Sequence, residues 1–175
     1  MKSIILRYGL ISAAILLGSG FVFRLIVGDH ENYNAMMIAG FASMILAFTM
    51  VYVGMRATRL QQPTKQIAFR QALFVGLMIS LFATAAWIIS WEITMATTMH
   101  DFIEKYTAHE LAELRASGAS ANEILEATAS ANEMVVNYKN PLYRIAMTAG
   151  EIFPIGLVVA LGGAFVESRR KRKNT

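Results

Sequence analysis

Cysteine is absent from the 175 residues. That excludes disulfides, thiolate metal sites and the dithiol chemistry of quinone-linked four-helix redox proteins. Charge is scarce as well, with Asp, Glu, Lys and Arg making up 16% of the chain, against about 25% in soluble domains. Histidine occurs only at positions 30, 100 and 109, and no helix carries two at zinc-protease spacing. His100 with Asp101 and Glu104, and His109 with Glu110 and Glu113, read as solvated helix faces, so neither a metal nor a cofactor is expected. No nucleophile and base stand at a recognisable catalytic spacing.

What the chain has instead is hydrocarbon: 55% of residues are hydrophobic and the mean hydropathy is +0.46. Four stretches approach the roughly 20 apolar residues that a bilayer core demands, at 4–28, 35–55, 69–93 and 141–166. The first resembles a secretory signal up to Gly18-Ser19-Gly20, but the apolar run resumes at Phe21 and no small-x-small cleavage site is convincing, so it is read as an uncleaved helix. The expected fold is all-α: a polytopic membrane protein with four transmembrane helices and an extramembrane helical hairpin between the third and fourth. The expected organisation is spans one to three in 1–96, the hairpin in 97–140, the fourth span in 141–168 and a basic tail in 169–175.

Charge distribution sets the expected orientation. The turn after the second span carries Arg56, Arg59, Lys65 and Arg70 without an acid, and the tail carries Arg169, Arg170, Lys171, Arg172 and Lys173. By the positive-inside rule both face the cytoplasm, as do the two termini. The stretch from Glu92 to Asn140 holds eight acids against three bases and is expected in the periplasm. The basic tail suits anionic lipid head groups. Five charges without interleaved aromatics specify no nucleic acid.

The outer stretch reads as two helices. Phe102, Ile103, Tyr106, Leu111 and Leu114 recur near the helical period, Ser117-Gly118 breaks it, and Ser120 with Glu123 forms a capping-box pattern. Asn140 caps the fourth span and Pro141 suits its first turn. Within the membrane, small residues at four-residue spacing mark close helix approach: Gly76, Ser80 and Thr84 on the third span, and Gly156, Ala160 and Ala164 on the fourth. Trp87 and Trp91 suit an interfacial aromatic belt. The five methionines between Met36 and Met55 suit adaptable packing.

The polar outliers collect toward the outer side. Arg24 comes late in the first span, Glu92 ends the third with His100 beyond it, and Arg144 and Glu151 lie early in the fourth. Arg144, Thr148 and Glu151 share one helix stripe. Pro154 frees the carbonyl of Gly150 and favours a kink. Counting back from Glu167 puts Glu151 about 6 Å below the outer boundary, as the floor of an outer-facing cluster with Arg24, Glu92, His100 and Arg144. A structural ion pair and a proton-exchanging carboxylate are both open readings, and they require opposite charge states.

Gly40-Phe41-Ala42-Ser43-Met44, Tyr52-Val53-Gly54-Met55-Arg56, Trp91-Glu92, Lys105-Tyr106, Asn140-Pro141-Leu142 and the run Glu151-Ile152-Phe153-Pro154-Ile155-Gly156-Leu157 together resemble a family of small bacterial inner-membrane proteins, domain of unknown function 4199. The resemblance covers nearly the whole chain and its last motif is the most specific. It implies a four-span bacterial membrane protein with an outer helical insert, and supplies no activity, substrate or catalytic residue. Gly40-Phe41 stands where the family often has Gly-Tyr. The expected role is an accessory or scaffolding protein of the bacterial inner membrane acting through its outer helical hairpin and helix seams, with membrane lipid and either a second copy or another membrane protein as partners. A small proton-coupled transporter using Glu151 is the first alternative, and a lipid-modifying enzyme the second.

Overall fold

A computed structural model describes residues 1–27 and 33–170, without the side chains of 20–27, 33, 34 and 36. Asp29, His30 and Glu31, and the side chain of Arg24, therefore lie outside the described residues. Six α-helices follow one another: α1 Lys2–Val27, α2 Tyr33–Gln61, α3 Phe69–Thr97, α4 Phe102–Ala116, α5 Ala121–Tyr138 and α6 Pro141–Arg169. No strand occurs among the described residues. The helices α1, α2, α3 and α6 are long and apolar enough to cross a membrane. The protein is a polytopic helical membrane protein.

The helix boundaries have local causes. Gly118 takes φ +80 just after α4, a conformation that suits a residue without Cβ. Ser120 then caps α5: its Oγ accepts the Glu123 amide while the Glu123 carboxylate accepts the Ser120 amide. The Ser120 hydroxyl also donates to Glu123 and, with the amide, holds that carboxyl below its ordinary value. Asn140 Oδ1 accepts the Leu142 amide at 3.0 Å, and Pro141 begins α6 where no intrahelical donor is needed.

The described residues form two compact units, Met1–Ile88 with Ala149–Thr175, and Ile89–Thr148, and the division falls within α3 and α6. In the first unit the long helices are apolar on both sides. Phe48, Val51, Met55, Val75, Ile79 and Ile152 are buried, while Ile38, Ile45, Leu46 and Val158 are exposed, as expected where lipid is the outer solvent.

Because lipid tails solvate Leu as well as another helix does, packing must come from close backbone approach and internal hydrogen bonds. A Cβ on Gly156 would lie 2.7 Å from Phe48 and 2.9 Å from Ser80, and one on Gly76 would lie 3.1 Å from the Ala160 Cβ. The two small-residue rows read from the sequence thus face each other across α3 and α6. Ser80 Oγ is shared between the carbonyls of Gly76 at 3.0 Å and Gly156 at 3.2 Å. Ser12 Oγ donates to the Ala47 carbonyl at 2.9 Å, joining α1 to α2. Gly150 and Gly162, by contrast, face open space.

Gly156→Ala is expected to lower the thermal unfolding temperature in detergent, since overpacking of about 1–3 kcal/mol exceeds the gain in helix propensity. Gly162→Ala, with room for its methyl, is expected to leave that temperature unchanged or raise it.

Candidate functional site

Two polar centres are built into the helices, one in each unit. In the unit Ile89–Thr148, Arg144 meets Glu92 as a two-pronged pair, Nε to Oε1 at 2.9 Å and Nη2 to Oε2 at 2.7 Å. Its remaining prong, Nη1, donates to the carbonyls of Tyr138 at 2.9 Å and Lys139 at 3.4 Å. The guanidinium therefore serves two purposes, neutralising a carboxylate at the end of α3 and satisfying carbonyls at the end of α5. Beside it, Trp91 Nε1 donates to the Tyr138 hydroxyl at 2.7 Å, and the Trp91 ring meets Phe102 edge-on with centroids 5.1 Å apart. Phe102 in turn stacks on Tyr106 at 5.6 Å. Trp91 is thus an internal clasp between α3 and the helical hairpin as well as an aromatic near a helix end.

Among the residues expected in the outer-facing cluster, the structure brings Glu92 and Arg144 together. His100 is exposed in the turn between α3 and α4. His109 lies 3.4 Å from Glu113 one turn on. No group of three or more His, Asp or Glu residues that could hold a metal occurs among the described residues. Thr148 is buried, whereas Glu151, in the other unit, is exposed and has no hydrogen-bonding or ionic partner among the described residues. Pro154 lies inside α6, whose helix continues through it.

The second centre was not foreseen from the sequence, where Glu167 served only to mark the end of a span. Its carboxylate is fully buried in the other unit, among helices α2 and α6. Arg59 Nε donates to Oε2 at 2.5 Å and the Tyr52 hydroxyl donates to Oε1 at 2.8 Å. Arg170 Nε lies 3.3 Å from Oε1. Arg59, itself 9% exposed, also donates from Nη1 to the Lys65 carbonyl at 3.2 Å. Lys65 adopts φ 52, an unfavourable region for a residue with a side chain. One arginine thereby fastens α2, the α2–α3 turn and the end of α6. The available signal was a single acid set against the basic tail.

Chemically, both centres are pairs whose hydrogen-bonding capacity is largely used internally, which suits holding helices in register. The family model described as "Protein of unknown function (DUF4199)" matches residues 7–168. The chain belongs to the DUF4199 family. No curated protein and no solved structure matches it. Both pairs, Glu92–Arg144 and Arg59–Glu167, lie within the DUF4199 region, while Arg170 lies beyond it.

Arg59→Ala is expected to destabilise the protein by about 3–5 kcal/mol, because it strands a buried carboxylate. Arg59→Leu combined with Glu167→Leu is expected to restore most of that loss. Denaturant unfolding of the single and double variants in matched micelles measures both effects.

Proposed function

We propose that this DUF4199 chain is an accessory or scaffolding protein of the bacterial inner membrane, with cytoplasmic termini and a periplasmic hairpin that contacts a second copy or another membrane protein. The observation that carries this reading is α5. It contains no buried residue, yet Leu125 and Val136 are 69% and 67% exposed. They stand eleven residues apart, about three helical turns, and so share one face. The rows through Gly76 and Gly156 are occupied within the chain itself, which leaves the hairpin as the favoured contact surface. The orientation rests on the cationic α2–α3 turn and tail against the acidic 92–140 stretch.

The absence of native cysteine makes both parts testable by single substitutions. Ala119→Cys in intact cells is expected to react with a membrane-impermeant maleimide and Thr64→Cys to be protected; the reverse pattern would refute the orientation. Leu125→Cys and Val136→Cys are expected to give discrete crosslinked adducts in the membrane. A monodisperse monomer with no adduct at either position would overturn the scaffolding role.

The exposed Glu151 within α6 favours a second reading, a small proton-coupled carrier assembled as an oligomer. Hydrocarbon solvates a carboxylate poorly, so a group there calls for a partner or a proton. On this reading, proton-driven flux in liposomes is lost with Glu151→Gln, and flux that persists would exclude it.

A further inference from the structure

At the end of the bundle where α2 turns into α3 and α6 finishes, an open cavity of about 680 Å³ is lined by Gln66, Ile67, Ala68, Ser168, Arg169 and Arg170. Its size falls within the range of small-molecule sites. Its surroundings are strongly cationic: residues 56–70 and 167–170 contain Arg56, Arg59, Lys65, Arg70, Arg169 and Arg170 against the single acid Glu167. That acid is already matched by buried Arg59 and by the Tyr52 hydroxyl. The contact of Arg170 with Glu167 leaves its side chain 47% exposed, so the cavity keeps a net positive charge.

The two arginines differ in a way that suits an amphiphile. The Arg169 guanidinium lies 4.0 Å over the ring of Phe165, which is 49% exposed on a membrane-spanning helix. This stack holds a cation directly above an apolar surface, as snorkelling side chains do at the level of lipid phosphates. Ala68 immediately precedes α3, so the positive end of the helix dipole adds to the same potential. Charge complementarity and an adjacent apolar flank together favour an anion that carries hydrocarbon.

We propose that this cavity binds the phosphate headgroup of an anionic membrane lipid, with Arg169 and Arg170 contacting the phosphate and the acyl chains lying along the Phe165 face. The site shares no residue with the hairpin surface and stands whether or not the scaffolding role does.

The test uses the full chain in phosphatidylcholine nanodiscs, with and without a minor fraction of spin-labelled phosphatidylglycerol, and reads lipid association at the protein. Preferential association with phosphatidylglycerol is expected, falling about fivefold for each of Arg169→Gln and Arg170→Gln. Ala68→Phe, which places a ring in the cavity without changing charge, is expected to weaken association comparably. The charge-matched control Arg56→Gln with Arg70→Gln, outside the cavity, is expected to have a smaller effect than the Arg169 and Arg170 pair. Equal loss in that control, or full association in Ala68→Phe, would reduce the effect to diffuse surface attraction and overturn the site. Displacement by soluble glycerol phosphate as effective as by lipid would overturn the assignment to lipid.

Discussion

Hydrocarbon gives helices no reason to adhere to one another, and this structure answers that constraint. Its long helices present Leu, Ile and Val outward as readily as inward, so apolar area does not select the arrangement. Selection comes from places where backbones approach too closely for a side chain and from hydrogen bonds that close across the gap. Gly156 against Phe48 and Ser80 is the clearest instance. There the missing Cβ admits a neighbour, and the hydroxyl it admits joins two helices through their own carbonyls.

The ion pairs extend the same logic to the helix ends. Each arginine does more than neutralise an acid, since each also donates to backbone carbonyls: Arg144 to the end of α5, and Arg59 to the α2–α3 turn. A planar group with donors on several edges can tie a carboxylate and backbone carbonyls at once, which a lysine cannot do with fixed geometry. Their placement near connections between helices is consistent with a role in fixing register, where loops alone would leave the helices free to slide.

Sequence revealed those features whose causes are local. The spans follow from runs of apolar residues, the hairpin from periodicity and a Gly118 break, and the α5 start from Ser120 and Glu123, three residues apart. The facing rows at Gly76 and Gly156 were visible as spacing, though not that they meet each other. The Arg59–Glu167 pair was hidden because its members lie 108 positions apart and each had an adequate local reading, one as an orientation charge and the other as a boundary. Glu151 drew attention for the opposite reason. A lone acid in an apolar run is conspicuous, whereas an acid beside five basic residues looks already compensated.

The separation between Arg59 and Glu167 also bears on how the protein is made. Chains emerge from the ribosome N-terminus first, so α2 and the cationic turn are produced before α6. During that interval Arg59 lacks its carboxylate, and Ser80 lacks the carbonyl of Gly156. The last helix brings both. Its arrival supplies the partners that α2 and α3 had lacked, so a nascent chain halted before residue 167 would lack the bond that joins α2 to the end of α6.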